Sequence, residues 1–364
     1  MGNSLGKLFR ITSFGESHGK CVGIIVDGCP AGLPVTEVEI QQDLAKRWPG
    51  REAGSTERSE QDRVEMLSGV YEGHTTGAPI CMLTWNTDAD SGDYRKNRFL
   101  PRPGHADYTA FVKYGGFNDP RGGGRFSGRI TAAFVMAGAI ARKLLGLSDI
   151  EVIAHTVDIG GVKAQPKELA EIRKNVEQNP LRCADPEAAE EMLALITRVR
   201  EENDSLGGVI EGIALNVPAG LGEPVFDNLD GELAKALLAI PAVKGVEFGA
   251  GFTVAGKKGS ENNDPFTINK DGKVITVTNN SGGILGGLSS GMPVVARVAI
   301  KPTASIAREQ ATVDMQNMEK SSLSVRGRHD VCIVPRAVVV VEAMMAVTIC
   351  DLSLRAGLLP RVIK

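Results

Sequence analysis

The stretch GGGRFSGRITAAFVMAGAIARKLLG, residues 122–146, indicates a fold built around a buried helix. After Ser127 it carries almost only small and apolar side chains for about five helical turns. A helix that is apolar on nearly every side is buried on nearly every side. A second run, PRAVVVVEAMMAVTICDLSLRAG (residues 335–357), has Pro at its start and Gly past its end, which is typical of a helix. Its valines would also suit a strand, but about twenty residues without a breaker favour the helix.

Two buried helices need cover, and strand-like runs supply it. They include GVEFGAGFTVAG (residues 245–256) and the two runs on either side of the glycines in residues 273–300. The order strand, Pro-Ala-Gly-Leu, helix occurs twice, at residues 21–48 and 209–238. Residues 166–204 form a charged helical excursion. We therefore expect one domain over residues 1–364, of the α+β class. It would contain two pseudo-repeats, with helices sandwiched between antiparallel or mixed β-sheets.

The composition is that of an ordinary soluble protein and restricts the possible partners. The net charge of −3 argues against a nucleic-acid binder. The six cysteines form no CxxC pair, which favours reduced thiols in the cytoplasm. The first residues lack the layout of a signal peptide. The longest apolar run contains Arg336 and Glu342, so we expect no membrane span.

Three of the five histidines lie in settings that suit chemistry. His18 lies in FGESHG, His105 in RPGHADYT and His329 in RGRHD, each beside glycine or arginine. His74 and His155 are predicted in a surface turn and a strand. Histidine changes its charge near neutral pH and can therefore give or take protons.

Arginines gather beside glycines and histidines. The segment DPRGGGRFSGR (residues 119–129) places three arginines and a serine in a loop that leads into the first buried helix. Glycines let backbone N–H groups approach an anion, and arginine grips carboxylate or phosphate with two donors. In an acidic protein this predicts a small ligand with several negative charges. The glycine-rich run NNSGGILGGLSSGMP matches neither a P-loop nor a dinucleotide fingerprint, and we expect no metal site.

Six of these motifs, in order, identify a resemblance. FGESHG, RPGHADYT, RGGGRFSGR, GGILGGLSSG, KPTAS and RGRHDVCIVPRAVVVVEAM span residues 8 to about 350. The chain resembles the chorismate synthase family in its monofunctional form. The resemblance implies a carbon–oxygen lyase that removes phosphate from 5-enolpyruvylshikimate 3-phosphate by anti-1,4-elimination. The product is chorismate, in the last step of the shikimate pathway, and reduced FMN is required without net redox change.

The resemblance also implies roles for individual residues. His18 would protonate the leaving phosphate, His105 would donate to the reduced flavin, and Asp330 would act as base on flavin N5. Substrate would be held by Arg47, Arg51, Arg102, Arg129 and Arg328. FMN would be lined by Arg47, Arg125, Phe126, Ser127, Ala242, Gly286, Lys301, Pro302, Thr303, Ala304, Ser305 and Arg328. Further implications are a homotetramer, cytoplasmic location, NADPH as a reductant contacted by Arg47, and an external flavin reductase.

The chain departs from the family pattern at three positions. Phe126 and Gly128 stand where serine and alanine are usual, and Pro241 stands where many members have asparagine. Pro241 therefore lacks both a side-chain contact and an N–H. Two other functions stay open on the residues alone: a small-molecule phosphotransferase that uses the glycine loops for ATP, and an anion- or flavin-binding protein without catalysis.

Overall fold

The computed structural model describes residues 2–48, 62–87, 97–325 and 330–364. The helices are α1 (Glu37–Ala45), α2 (Asp107–Tyr114), α3 (Thr131–Gly146), α4 (Leu169–Asn175), α5 (Pro186–Glu201), α6 (Leu229–Leu238), α7 (Gly259–Asn262) and α8 (Val334–Arg355). Short 3₁₀ segments occupy Arg121–Phe126, Gly128–Ile130 and Gly251–Gly256. The strands are β1 (Ser4–Leu5), β2 (Arg10–Gly15), β3 (Cys21–Asp27), β4 (Val64–Ser68), β5 (Val70–Tyr71), β6 (His74–Thr75), β7 (Ile80–Trp85), β8 (Glu151–Ile159), β9 (Val162–Lys163), β10 (Gly208–Leu215), β11 (Val243–Phe248), β12 (Phe266–Ile268), β13 (Val274–Thr276), β14 (Ile284–Leu285), β15 (Leu288–Ser289), β16 (Val294–Ile300), β17 (Gln310–Asp314) and β18 (Glu319–Leu323).

Two five-stranded sheets enclose the two apolar helices. The first has the order β1-β2-β3-β7-β4 and the second β11-β16-β10-β8-β9, and every neighbouring pair in both is antiparallel. Helix α3 packs on β3 and β7 of the first sheet, α8 packs on β8 and β10 of the second, and the two helices pack on each other. The α+β sandwich expected from the sequence is confirmed, with antiparallel sheets.

The strands show the alternation that one-sided burial requires. In β3, Val22, Ile24 and Val26 are fully buried, whereas Ile25 between them is exposed. In β16, Val294, Ala296 and Val298 are fully buried, and the intervening residues are less so. Because side chains alternate across a strand, each sheet presents one apolar face to the helix layer.

Small residues allow the layers to approach closely. A Cβ added to Gly138 of α3 would lie 2.3 Å from the Cβ of Ala343 in α8, so the two helices cross with glycine against alanine. A Cβ added to Gly212 of β10 would lie 2.3 Å from the sulfur of Met345. These contacts explain why a chain with 43 glycines and few aromatics still forms a dense core.

Helix α8 is both long and apolar. Of the described residues, only Val334–Arg355 form a helix whose length and hydropathy would allow it to cross a membrane, and 89% of its most apolar window is buried in the protein. The prediction that the valine run is helical is confirmed. Pro335 lies in its first turn, and Gly357 just past its end has a φ of +73°.

Residues 166–204 differ in part from the prediction. They are helical, as α4 and α5, but one face of α5 joins the main core through Ala188, Ala189, Met192 and Ile196. These positions recur at helical spacing, so they form an apolar stripe on a helix that is otherwise charged. The average composition of the segment hides this stripe.

The two copies of the repeated pattern occupy comparable places. β3 and β10 are each the central strand of a five-stranded sheet. The helix after the first copy, α1, packs on α3, and the helix after the second, α6, packs on α8. A capping box between Thr36 and Glu39 begins α1. The internal duplication and the single domain stay predictions.

Candidate active site

Three consecutive glycines in left-handed conformation form the centre of the site. Gly122, Gly123 and Gly124, just before α3, have φ values of +56°, +83° and +52°. A Cβ on Gly122 would lie 2.0 Å from Nδ1 of His18, and one on Gly123 would lie 3.0 Å from Nε2 of His105. The two histidines, 87 positions apart in the sequence, therefore pack against one glycine turn. L-residues rarely adopt this backbone, so only glycine suits both the conformation and the space.

The loop that carries His18 is held in place by hydrogen bonds to both of its ends. The backbone N–H of Ser17 donates to the carbonyl of Gly124 at 3.2 Å. The Ser17 hydroxyl and Nδ1 of His18 lie 3.3 Å apart, and both side chains are buried. The amide nitrogen of Asn86 donates to the carbonyls of Glu16 and Gly19 at 3.0 and 2.9 Å. His18 is thereby fixed at the glycine turn.

Asn86 links this loop to a group of buried arginines. Its Oδ1 accepts from Nε of Arg129 at 2.9 Å. Arg129 and Arg47 share the carboxylate of Asp62, with Nη1 of Arg47 at 2.8 Å from Oδ2 and Nη1 of Arg129 bound to Oδ1. Nη2 of Arg47 also donates to the hydroxyl of Thr131 at 3.1 Å. Arg47 and Arg129 therefore reach the N-terminus of α3 together.

The charges in this group change the pKa of its members. Burial lowers the pKa of Arg47 to about 10, although Asp62 opposes the shift. Burial alone would raise the pKa of Asp62, but the guanidinium groups of Arg47 and Arg129 outweigh it, and the pKa lies below its usual range. Near neutral pH, the Arg47 guanidinium and the Asp62 carboxylate are therefore both charged.

Asp330 lies beside the arginine group. Nη1 of Arg336 donates to both of its oxygens, at 3.1 and 2.9 Å, and Nε of Arg336 donates to the carbonyl of Arg47 at 3.0 Å. Arg336 lies in the first turn of α8, so the buried helix anchors the position of Asp330. Among the described residues, this group joins three guanidinium groups (Arg47, Arg129 and Arg336) to two carboxylates (Asp62 and Asp330).

Arg102 and His105 form a second group with Asp107. Asp107 accepts from Nε of Arg102 at 2.7 Å, and its Oδ1 lies 2.7 Å from Nδ1 of His105. Nη1 of Arg102 donates to the hydroxyl of Ser305 at 3.0 Å, which brings in the KPTAS motif. This group adjoins the glycine turn through Gly123.

The remaining KPTAS residues lie along the same segment. The backbone N–H of Lys301 donates to the carbonyl of Ala242 at 3.0 Å, and Ala242 has a φ of +73°. Ser205 donates to the carbonyl of Thr303 at 2.7 Å. Pro302 is exposed, and Ala304 faces Gly104, the residue before His105. Ala242 and residues 301–305 thus reach from the end of β16 to Arg102.

Four other predicted flavin contacts lie in different settings. Arg125 donates to the hydroxyl of Ser13 at 3.2 Å and to the carbonyl of Gly15 at 2.9 Å, which fastens the glycine turn to β2. Ser127 accepts the backbone N–H of Arg129 at 3.3 Å. Phe126 is partly exposed and faces a tyrosine ring. Gly286 is exposed at the turn between β14 and β15, and the carbonyl of the adjoining Gly287 accepts from the N–H of Leu229, the first residue of α6.

Several predictions cannot be placed, and three residues were missed. Arg51, Arg328 and His329 lie outside the described residues. Sequence reasoning did not single out Asp62, Arg336 or Asp107 for the site. Asp107 and Arg336 lie within quoted motifs, only two and six positions after His105 and Asp330. Their proximity in sequence to His105 and Asp330 is the signal by which both residues could have been found.

Comparison with known proteins identifies the family of this chain. A sequence model described as chorismate synthase matches residues 9–354. The chain belongs to the chorismate synthase family. A chorismate synthase from Dehalococcoides mccartyi strain BAV1 is 59% identical over all 364 residues of this chain and its own full length. One from Methanosarcina barkeri is 54% identical over 98% of this chain and 97% of its own.

A solved structure extends the similarity to three dimensions. The crystal structure of a chorismate synthase matches with a TM-score of 0.75 and 33% identity, covering 96% of this chain and 93% of its own. The identification made from the six motifs is confirmed, and so is the enzyme class, a carbon–oxygen lyase. The reaction is the formation of chorismate from 5-enolpyruvylshikimate 3-phosphate with loss of phosphate. Reduced FMN is the cofactor of the chorismate synthase family.

Proposed function

We propose that chorismate formation takes place at the glycine turn of residues 122–124, with His18, His105 and Asp330 as the groups that handle protons. The observation that carries this proposal is the packing of both imidazoles against adjacent glycines of that turn. Asn86, Arg129 and the Asp62 carboxylate then connect the turn to the group that contains Asp330. Three side chains that are distant in sequence thus belong to one connected network of contacts.

The arginine group would bind the substrate. The substrate carries a phosphate and two carboxylates, and several guanidinium groups are needed to hold so much negative charge. Arg47 and Arg129 are almost fully buried, so their charges are little screened by water. We assign substrate binding to Arg47, Arg51, Arg102, Arg129 and Arg328.

The segment that begins at Lys301 fits a flavin phosphate. The hydroxyl oxygen of Thr303 is buried and has no hydrogen-bond partner among the described residues, and a phosphate oxygen would supply one. Lys301 is partly buried near Lys244, and burial followed by repulsion from Lys244 lowers the pKa of Lys301. An anion there would offset both effects. We assign FMN binding to Arg47, Arg125, Phe126, Ser127, Ala242, Gly286, Lys301, Pro302, Thr303, Ala304, Ser305 and Arg328.

The protein's own contribution is to place charges and protons. Bound reduced FMN supplies electron density to the substrate. His18 would give a proton to the phosphate as it leaves, because Asn86 fixes the loop that carries it and its imidazole packs against the glycine turn. His105 would direct a proton towards the flavin. Asp330, held by Arg336, would act as the base on flavin N5.

Four finer assignments accompany this proposal. We propose that the enzyme is a homotetramer, that it works in the cytoplasm, and that NADPH, contacted by Arg47, serves as a reductant. An external flavin reductase would supply reduced FMN where NADPH does not. The family membership supports these assignments by analogy only.

An anaerobic assay with dithionite-reduced FMN tests the function. We expect chorismate and phosphate to form from 5-enolpyruvylshikimate 3-phosphate with no nucleotide present. A requirement for ATP and Mg²⁺ would indicate a phosphotransferase instead. Tight binding of FMN and substrate without turnover would indicate a binding protein.

Two substitutions test the assigned roles in the same assay. His18→Ala and Asp330→Ala should each lower turnover by roughly 10²–10⁴-fold, the usual contribution of a proton-transfer group. His74→Ala is the matched control, because His74 is exposed in the short strand β6 and should leave turnover unchanged. Near-normal rates in both test variants would show that the roles are wrongly assigned.

A further inference from the structure

Asp107 contacts both His105 and Arg102, and none of the roles above uses it. We propose that Asp107 is a positioning residue that fixes which ring nitrogen of His105 carries the proton and, at the same time, orients the guanidinium group of Arg102. This inference rests on the proposed role of His105 as a proton donor.

The carboxylate of Asp107 is surrounded by donors from a single short turn. Oδ2 accepts from Nε of Arg102 at 2.7 Å and from the backbone N–H of Arg102 at 3.0 Å. Oδ1 accepts from Nη2 of Arg102 at 2.8 Å and lies 2.7 Å from Nδ1 of His105. The two parallel contacts with the guanidinium group fix its plane as well as its distance.

The local sequence builds this arrangement. The backbone N–H of His105 donates to the carbonyl of Arg102 at 3.1 Å, and Gly104 between them has a φ of +71°. The turn folds the imidazole back beside the guanidinium group. Asp107 then begins α2, where its carboxylate faces both. Its side chain does not cap the helix, because it bonds back to Arg102 rather than forward into α2.

The charge of Asp107 determines where the proton on His105 lies. Burial alone would raise the pKa of Asp107, but hydrogen bonds from Arg102 and then His105 lower it far below its usual range. Asp107 is therefore a carboxylate, which can only accept hydrogen bonds. Nη2 of Arg102 lies 3.1 Å from Nδ1 of His105, but the Asp107 oxygen is nearer, at 2.7 Å. A bare Nδ1 there would place two lone pairs against each other, so Nδ1 carries a proton.

The other ring nitrogen then faces the site. Nε2 of His105 lies on the side of Gly123, where a Cβ would come within 3.0 Å of it, and Nη2 of Arg102 lies 3.3 Å from it. With Nδ1–H bound to Asp107, the ring cannot turn without losing that bond. Nε2 is thus the atom of His105 that exchanges a proton with a ligand at the glycine turn. Asp107 determines the direction in which this ring nitrogen points.

Asp107→Asn tests the inference, because asparagine keeps the shape but loses the charge. We expect turnover to fall roughly 10²-fold, as the proton-transfer contribution of His105 is largely lost. In the His105→Ala background, the same substitution should cost less, because only the part of the effect that acts through Arg102 remains. Equal costs in both backgrounds would overturn the inference.

A second readout separates positioning from a purely structural role. In protein labelled with ¹⁵N-histidine, His105 is assigned by the signal that is missing in His105→Ala. We expect Nδ1 of His105 to be protonated in the wild type and this preference to be lost in Asp107→Asn. An unchanged ring signal would overturn the inference. Asp107→Glu should recover part of the turnover, and failure of any recovery would count against a positioning carboxylate.

A control variant at another acidic residue accompanies these tests, and the proposed role of His105 is tested by a variant of its own. Asp230→Asn removes an acidic residue from the first turn of α6 in the same way and should change neither turnover nor the His105 signal. If His105→Ala itself retains normal turnover, the proposed role of His105 is wrong. The ring signal in Asp107→Asn would still decide whether Asp107 sets the protonated nitrogen.

Discussion

Replacing Gly122 with alanine should displace His18 while leaving the rest of the fold in place. The added Cβ would lie 2.0 Å from Nδ1 and 2.1 Å from Cε1 of His18, whereas ordinary contact begins at 3.4 Å. The imidazole or the turn must therefore move by about 1.4 Å. A displacement of about 1 Å in a catalytic group can cost roughly 10²-fold in rate. We expect the turnover number of Gly122→Ala to fall by about that factor.

The same substitution has a modest cost in stability. Gly122 has a φ of +56°, and a residue with a Cβ loses about 1–2 kcal/mol in that conformation. Urea unfolding should show a loss of this order, small enough for the variant to remain folded. The loss of turnover must therefore be measured on folded protein, with chorismate formation followed anaerobically under saturating substrate.

A matched control lies six residues along the same loop. A Cβ on Gly128 would meet no atom within 4 Å, and Gly128 does not have a positive φ. Gly128→Ala should therefore retain wild-type turnover. Wild-type turnover in Gly122→Ala as well would refute the reasoning, because His18 would then tolerate displacement. An equal loss in both variants would show that turnover depends on the conformation of the loop as a whole rather than on the position of His18.

Three further predictions follow from single contacts. Arg336→Gln should lower turnover roughly tenfold to a hundredfold, since hydrogen bonds to charged groups contribute about 1.5–3 kcal/mol. Arg336→Lys should recover only part of the lost turnover. Full activity in both variants would exclude a role of Arg336 in holding Asp330. Gly138→Ala should lower the unfolding free energy by about 1–3 kcal/mol, because its Cβ would lie 2.3 Å from the Cβ of Ala343. Turnover per folded molecule should stay unchanged. Undiminished stability in urea would contradict the packing of α3 on α8. The pKa of Asp62 is lower in the folded protein than its ordinary value of 3.8, so the stability that its carboxylate contributes is complete above pH 3.8 and is lost as the pH falls through the lower folded pKa. The difference in unfolding free energy between wild type and Asp62→Asn should therefore shrink below about pH 4. A constant difference would contradict the ion pairs.

The layered fold could be predicted because its signals are local. The runs at residues 131–146 and 334–355 are apolar on nearly every helical face, and burial between two layers explains that pattern. The amphipathic character of α5 was missed, because composition averaged over residues 166–204 conceals the spacing of Ala188, Met192 and Ile196. Periodicity, rather than composition, carried that information.

The site could be predicted only in part because its geometry is long-range. The motifs identified His18 and His105 separately, but their packing on Gly122 and Gly123 depends on how the first sheet meets the start of α3. Asp62 was missed for the same reason, since it contacts Arg47 and Arg129 only in the folded chain. Spacing along the sequence does not encode such contacts.

A crystal structure of the enzyme with FMN and 5-enolpyruvylshikimate 3-phosphate, prepared without reductant so that turnover does not occur, would locate both ligands. We expect the substrate phosphate in contact with His18 and with the buried guanidinium groups of Arg47 and Arg129, and the flavin beside His105. Ligand density in another part of the fold, with His18 and His105 both out of contact, would contradict it.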